Sequence, residues 1–381
     1  MNQINSQTIL GILGSGQLAR MTSLAASDFG IQTHIYCSES HPSPAEHVAT
    51  KTTKGSFNDQ KAILDFCQNC DVVTLENEFI DQEILEAIDA KFPGKLNPSS
   101  KTFKKIGDKI SEKENFEKAG IKVTPFKKVT TPLDVITFAK TYGFPVVLKS
   151  SKGGYDGYGN ITIKDASELE EKFTKLKGEL LVEAFIPYEK ELAIMIARNK
   201  NREMVFYPVA HTIQENHICH FVSVPAEVSP DIINQIEEAA KKAMIAIDAV
   251  GIFAFEFFLT KDGELYLNES APRPHNSGHY TNEGTTTSQF HNHVRSVLNL
   301  PLGEATLRSK AVMMLNLLGT KNGLAELSPL HKFMNIEDGH LHLYGKKDSK
   351  VGRKMGHFTL LGNDREELQS KLEKLKSEYS L

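Results

Sequence analysis

The sequence predicts a mixed α/β (α+β) protein of more than one domain. Three observations carry that expectation. The chain opens with an apolar strand, a glycine-rich turn and a helix over residues 8–30. A second glycine-rich loop, residues 150–160, lies between two strands rather than between a strand and a helix. Residues 251–284 read as a hairpin that presents two acids and runs straight into a loop crowded with polar groups. At 381 residues the chain exceeds one ordinary core, so two or three domains are expected.

Composition narrows the function class. The chain is 40% hydrophobic and 24% charged, as soluble globular proteins are. A net charge of −4 gives no general field for nucleic acid. No apolar run approaches the ~18–20 residues that a membrane span needs. Residues 1–7 lack a basic region followed by an apolar core, so no secretory signal is expected. Cys37, Cys67, Cys70 and Cys219 fit a reducing cytoplasm. Cys67 and Cys70 form a lone CxxC with no second pair at zinc spacing, and are expected to be structural. His291/His293 and His340/His342 are expected to be chance spacings.

The elements follow in order. Residues 8–13 form a strand, Gly14 to Gly16 a turn, 18–28 a helix and 31–36 a strand. This βαβ opening predicts a Rossmann-like N-terminal domain whose first turn suits an anion. An NAD reading, with Glu39 on the ribose, lacks a second mononucleotide half; a phosphate-bearing small molecule fits the same geometry. Residues 72–75 are a strand ending in Glu76-Asn77-Glu78, acids where open sheets bind ligands. A helix over 81–90 precedes breaker-rich sequence, which ends the first domain at residues 1–98.

The central domain is expected over 99–303. Residues 101–120 read as one helix that contains Lys109. After a helix at 133–142 comes a strand ending in Lys149, then the loop SSKGGYDGYGN and a returning strand at 161–164. Such a loop permits close backbone approach to phosphates and closure as a lid over ATP. Lys149 adds a cation at the strand end. Residues 183–187 look extended, with backbone groups free to read an adenine edge, and Glu191 is placed to accept from a ribose. His217, Cys219 and His220 lie on the next extended piece, and 232–249 form a long amphipathic helix.

In the hairpin, a loop at 261–264 sets Glu256 opposite Glu269, on one face of the pair. Opposed carboxylates repel, so a cation between them is expected. Mg²⁺ fits, since it takes one or two carboxylates plus substrate phosphates, and Asn268 can add an amide oxygen. Residues 271–281 hold Arg273, His275, Asn276, Ser277, His279 and Tyr280 on a frame stiffened by Pro272 and Pro274, where an anionic substrate would be held. A helix at 289–298 closes the domain. A small β-rich C-terminal domain is expected over 304–381. It has strands at 311–318 and 341–344, a basic pair of segments holding Lys346, Arg353 and Lys354 that suits a phosphate, and a final helix at 364–379 with a leucine stripe.

Taken together, GSGQLARM at 14–21, KGGYDGYGN at 152–160, NESAPRPHNSGHYT at 268–281, SQFHNHVRSVLNLPLG at 288–303, NLLG at 316–319, and HLYGK with GRKMGH at 342–357 resemble the ATP-grasp superfamily. Within it they resemble the N5-carboxyaminoimidazole ribonucleotide synthase family. The resemblance runs over about residues 9–360. It implies a Rossmann-like domain, an ATP-grasp domain and a small C-terminal domain, usually as a homodimer. It also implies an ATP- and bicarbonate-dependent ligase of purine biosynthesis that carboxylates 5-aminoimidazole ribonucleotide through carboxyphosphate.

By position, the resemblance implies that Lys109, Lys149, Gly154, Tyr155, Asp156, Gly157, Tyr158, Gly159, Asn160, Glu183, Ala184, Phe185, Ile186, Glu191, His217, Asn268 and Glu269 hold ATP. It implies Glu256 and Glu269 for Mg²⁺. Gln17 and Glu76 would face the ribonucleotide, with Tyr155 and Asp156 between it and ATP. Arg273, His275 and Asn276 would hold bicarbonate or carboxyphosphate, and Lys346, Arg353 and Lys354 the ribonucleotide phosphate; Lys346 also counts among the implied catalytic groups. Two positions depart from the family pattern: Tyr158 stands where a basic residue is usual, and His291 where an acid is. Competing readings are another ATP-grasp ligase of purine or carboxylation chemistry, and a nucleotide-binding regulator without catalysis.

Overall fold

The computed structural model describes residues 4–38, 43–76, 78–153, 159–215, 218–326, 328–379 and 381. Glu39, Asn77, residues 154–158 and His217, all singled out above, lie outside the described residues.

The N-terminal unit is a parallel four-stranded sheet in the order Lys51–Lys54, Gln32–Cys37, Ile9–Leu13, Val72–Leu75. Helix Gln17–Ser27 follows the glycine turn and buries Leu18, Met21 and Ala25 against this sheet. Gly16 has to be glycine. A Cβ there would stand 2.3 Å from a Glu76 carboxylate oxygen, so the missing side chain is what lets that acid lie over the turn.

A smaller antiparallel sheet comes next, in the order Phe126–Val129, Leu180–Ala184, Val146–Ser150, Asn160–Ile163. The glycine loop joins its last two strands, which pair antiparallel from Val146↔Ile163 to Lys149↔Asn160, as the sequence predicts. The expected single helix over 101–120 is two helices, Ser100–Ile106 and Lys109–Lys118. Gly107 and Asp108 break it. The Asp108 carboxylate caps the second helix by accepting from Ile110 N–H and Ser111 N–H. Lys109 thereby becomes a first-turn residue, and its N–H donates to the Ser151 carbonyl at 2.9 Å, at the foot of the glycine loop.

The main sheet has nine strands. Its path runs Leu265–Ala271, Gly251–Thr260, Tyr188–Arg198, Ala210–Glu215, Ile218–Val224, Ala311–Leu318, Lys354–Gly362, Gly339–Leu343, with Met204–Phe206 paired to Tyr188–Arg198. The strands after residue 303 therefore join this sheet, through Phe221↔Leu315 to Val224↔Val312, rather than forming a sheet apart. Strand Gly251–Thr260 shows how the sequence sorts its faces. Phe253, Phe255, Phe257 and Leu259 pack against helix Pro230–Ala246, while Ile252 and Ala254 face the opposite core. Glu256 falls on that second face, which explains an acid inside an apolar run. The terminal helix Arg365–Glu378 buries Leu368, Leu372 and Leu375, the stripe its sequence predicts.

Histidines fasten the layers together. His293 is fully buried: its Nδ1 accepts from Ile252 N–H at 3.2 Å, so the proton sits on Nε2, 3.0 Å from Thr74 Oγ1 in the N-terminal sheet. His291, where the family usually has an acid, pairs with Asp28 at 2.9 Å at the end of the first helix. Cys67 and Cys70 are buried in the N-terminal core, and burial pushes both thiols up to about 12.

Burial lowers His293 to about 4, and burial with Lys51 nearby lowers His34 to about 4, from an ordinary value of 6.5. The unfolded chain therefore takes up more protons than the folded one between these values. The stability this contributes is complete above about pH 6.5 and is lost as pH falls toward 4. Thermal unfolding should show Tm dropping from about pH 7 to about pH 5. His293→Ala should lower Tm at pH 7 and flatten that slope; a slope as steep as that of the unaltered protein would contradict the assignment.

Candidate active site

One cavity of about 1610 Å³ lies where the two antiparallel sheets face each other and the N-terminal sheet ends. It gathers every described residue of the sequence-derived site except Gly159: Gln17 and Glu76, Lys109, Lys149 and Asn160, Glu183 to Ile186 and Glu191, Glu256, Asn268 and Glu269, Arg273, His275 and Asn276, and Lys346, Arg353 and Lys354. Residues some 340 positions apart in the chain thus share one volume.

The acidic hairpin has the register that its sequence predicts, Glu256↔Glu269. The pairing slips just beyond, where Phe257 meets Leu267, and Asn268 is the extra residue of a bulge. A lysine and a histidine flank the opposed acids. Lys109 Nζ lies 3.0 Å from Glu269, and His275 Nε2 lies 3.7 Å from Glu256. The Lys109 charge outweighs burial and holds the Glu269 carboxyl down to about 2. Asn268 Oδ1 is buried without a hydrogen-bond partner among the described residues. Two carboxylates and an unsatisfied amide oxygen on one bulge are hard donors of the kind that Mg²⁺ takes.

Lys149 is held from beneath. Glu183 Oε2 accepts from its ammonium at 2.9 Å, and Glu183 also meets Lys113 at 3.3 Å and the Thr124 hydroxyl at 2.9 Å. Although burial works the other way, Lys113 and Lys149 bring the Glu183 carboxyl down to about 2. This narrows the expectation for residues 183–187. The Glu183 side chain is a buried partner of two lysines, the Ala184 N–H donates to Pro125, and the Ile186 carbonyl accepts from Tyr188. The other backbone groups of residues 184–186 could serve a nucleobase, beside the stacked rings of Tyr188 and Phe258, 4.6 Å apart.

The loop after the hairpin is rigid in detail. Arg273 Nε and Nη2 donate to the two oxygens of Glu78 at 2.6 and 3.0 Å, a bidentate pair from the central domain to the N-terminal one. Burial would raise Glu78, but the guanidinium holds its carboxyl below the ordinary carboxylate value. Gln289, fully buried, accepts from His275 N–H at 2.9 Å and donates to the His275 carbonyl at 2.8 Å and to His279 Nδ1 at 3.0 Å. Gly278 must be glycine here, because a Cβ would stand 2.5 Å from the Gln289 amide oxygen. His275 Nδ1 is bonded to Ser277 Oγ at 2.8 Å, and Asn276 pairs with Asn316 at 2.8 and 2.7 Å.

At the other end, Lys346 donates to the Lys354 carbonyl at 2.7 Å and Arg353 to the Asp348 carbonyl at 2.8 Å. These bonds bring the two basic segments together at the cavity that Gln17 and Glu76 of the N-terminal unit also line. His342, of the second His-x-His pair, bonds Glu283 at 2.5 Å and stacks on His357 rather than pairing with His340.

Sequence reasoning missed four site residues, of which Glu112, Lys113 and Gln289 are buried and Glu78 half-buried. Glu78 was visible only as one of two acids after a strand. Glu112 accepts from Ser270 N–H at 2.8 Å and from Ser270 Oγ at 2.5 Å, and burial, opposed by Lys109, pushes it up to about 7. Lys113 follows Lys109 by one helical turn, and Gln289 looks like any helix-start residue. Each acts through partners far away in the chain.

Comparison with known proteins agrees with this geometry. Residues 7–106 match the ribonucleotide synthetase preATP-grasp domain, 114–290 the ATP-grasp domain, and 312–371 the phosphoribosylaminoimidazole carboxylase C-terminal domain. The N5-carboxyaminoimidazole ribonucleotide synthase of Staphylococcus aureus (strain COL) is 33% identical over 364 residues, 95% of each chain. The phosphoribosylaminoimidazole carboxylase of Ogataea methanolica is 36% identical over 377 residues, 97% of this chain and 69% of that one. A crystal structure of N5-carboxyaminoimidazole synthase from Aspergillus clavatus, in complex with ADP and 5-aminoimidazole ribonucleotide, aligns with a TM-score of 0.89 at 32% identity over 98% of both chains. With its three domain types, its cavity and near full-length relatives in agreement, the chain belongs to the N5-carboxyaminoimidazole ribonucleotide synthase family of ATP-grasp ligases.

Proposed function

We propose that this protein uses ATP and bicarbonate to carboxylate the exocyclic amine of 5-aminoimidazole ribonucleotide, giving N5-carboxyaminoimidazole ribonucleotide, ADP and phosphate in purine synthesis. The observation that carries the reading is the single cavity. It joins Lys149, the acidic hairpin, the anion loop and the basic arm, so that donor, bicarbonate and acceptor can meet without leaving it.

The chemistry needs positioning more than covalent help. Bicarbonate is a weak nucleophile and must approach an anionic phosphate chain. Glu256, Glu269 and the Asn268 amide oxygen would hold Mg²⁺, which when bound offsets the phosphate charge. Lys149 and Lys109 supply fixed cations to the same end. Arg273, aligned by Glu78, and His275, aligned by Gln289, would bind bicarbonate. A bicarbonate oxygen takes the γ-phosphoryl group, ADP departs, and carboxyphosphate forms. The amine nitrogen then attacks the carboxyl carbon, the C–O bond to phosphate breaks, and the amine loses a proton.

Asp156 is the group assigned to orient or deprotonate that amine, with Tyr155 beside it, and the loop at 150–160 would close to keep water from carboxyphosphate. Lys346, Arg353 and Lys354 would grip the ribonucleotide phosphate, with Gln17 and Glu76 facing its sugar or base. A cytoplasmic homodimer of three domains, 1–98, 99–303 and 304–381, completes the proposal.

The test is ADP release from Mg-ATP and bicarbonate, with and without the ribonucleotide. Strong stimulation by the ribonucleotide, with an acid-labile product, is expected; its absence would move the acceptor elsewhere. In that assay Glu269→Ala should abolish turnover, and full activity would sink the metal assignment. Lys346→Ala should raise KM for the ribonucleotide at least ~10-fold, the scale of one lost charged contact, and far more than KM for ATP; the reverse order would reject its placement. Gly278→Ala should displace Gln289 and raise KM for bicarbonate while that for ATP stays nearly constant.

A further inference from the structure

We propose that Lys113 is a positioning residue for Lys149: it takes up the charge of Glu183, so that the Lys149 ammonium remains available to a nucleotide polyphosphate. The inference deepens the proposed function and rests on its placing of ATP phosphates at Lys149.

Lys113 is 1% exposed and lies one turn after Lys109 on helix Lys109–Lys118. One helix face thus feeds two acids: Lys109 goes to Glu269 and Lys113 to Glu183. Three oxygens surround the Lys113 Nζ. They are Thr124 Oγ1 at 2.7 Å, the Asn268 carbonyl at 3.1 Å and Glu183 Oε1 at 3.3 Å. The Thr124 hydroxyl gives its own proton to Glu183 Oε2, so it can only accept from Lys113. Thr124 and the Asn268 carbonyl take hydrogen bonds from Lys113, and the Glu183 carboxylate faces it as an ion pair, where a neutral amine would turn its lone pair toward a negative charge.

The charge count follows. Glu183 lies between two ammoniums, Lys113 at 3.3 Å and Lys149 at 2.9 Å, so the triad carries one net positive charge. Lys149 lines the cavity and Lys113 does not. Without Lys113, Glu183 and Lys149 would form a neutral pair, and phosphate would meet no net charge there. Retaining a fully buried lysine is costly, and burial does lower its pKa against the pull of Glu183, so a site that keeps one puts the charge to use.

The test compares Lys113→Met, Lys149→Met and the double variant Lys113→Met/Glu183→Gln in the ribonucleotide-stimulated assay, with thermal unfolding of each. Lys113→Met should raise KM for ATP about tenfold, the order of one unscreened charge at short range, and change KM for the ribonucleotide less than about twofold. The double variant, with the acid neutralised too, should recover most of the KM for ATP while its Tm stays low. Where Lys113→Met does not fold, Lys113→Gln keeps donors for Thr124 and the Asn268 carbonyl and carries the same expectation. A lowered Tm with unchanged KM for ATP, or a double variant as weak as the single one, overturns the proposal. If Lys149→Met also leaves KM for ATP unchanged, the reading of Lys149 as a phosphate ligand fails with it; if only Lys149→Met has an effect, that reading stands and the role of Lys113 falls.

Discussion

Two carboxylates facing each other across one register pair of a hairpin repel, and much of the site is arranged to compensate Glu256 and Glu269. The compensation begins on the protein itself. Lys109 reaches Glu269 because Gly107 and Asp108 start a fresh helix at that residue. His275 reaches Glu256 because the chain leaves the hairpin directly into a loop that Gln289 holds by its backbone. The bulge that ends the clean register also leaves Asn268 Oδ1 buried, with no hydrogen-bond partner among the described residues. The result is a pocket of hard oxygen donors with the Lys109 ammonium and the His275 imidazole at its rim, and the proposed polyphosphate and metal site rests on it.

Alternating charge extends outward from that centre. Glu183 separates Lys113 from Lys149, and Glu78 answers Arg273 from the N-terminal sheet. In each pair one partner faces the cavity while another is withdrawn or comes from a different layer. Charged groups so deeply placed would be a poor bargain for stability alone, because desolvation offsets much of their attraction. In the proposed reaction they would hold cations at fixed positions before substrate arrives, when reorganisation would otherwise raise the barrier. Glycine serves the same end at Gly16 and Gly278, where absent side chains let Glu76 and Gln289 come within contact of the backbone.

Much of this was legible in the sequence because it is local. Strand alternation placed Glu256 on the face away from Phe253, Phe255 and Phe257, and the four-residue turn set Glu269 across from it. The glycine loop could be recognised as joining antiparallel strands because a second strand follows it at once. The leucine stripe of the last helix read correctly for the same reason. What escaped depends on distant partners. A glycine inside a helical pattern gives no sign that Asp108 behind it will cap a new helix. Lys113 and Gln289 look like ordinary helix residues until Glu183 and His275 arrive from other strands and loops. Nothing local to the strands after residue 303 showed that Ala311–Leu318 would pair with Ile218–Val224 and so extend the central sheet. Residues 183–186 line the cavity, while the burial of the Glu183 side chain between two lysines could not be read from its neighbours.

The central claim is that this cavity transfers a phosphoryl group to bicarbonate before carbon reaches the amine. It is tested most directly by turnover with ¹⁸O-labelled bicarbonate, 5-aminoimidazole ribonucleotide and unlabelled Mg-ATP, followed by mass analysis of the released phosphate. Formation of carboxyphosphate places a bicarbonate oxygen between carbon and phosphorus, and cleavage of the C–O bond leaves that oxygen on phosphate. The account predicts one labelled oxygen in each phosphate released. Phosphate free of label, with carboxylated product formed at the same rate, would contradict it.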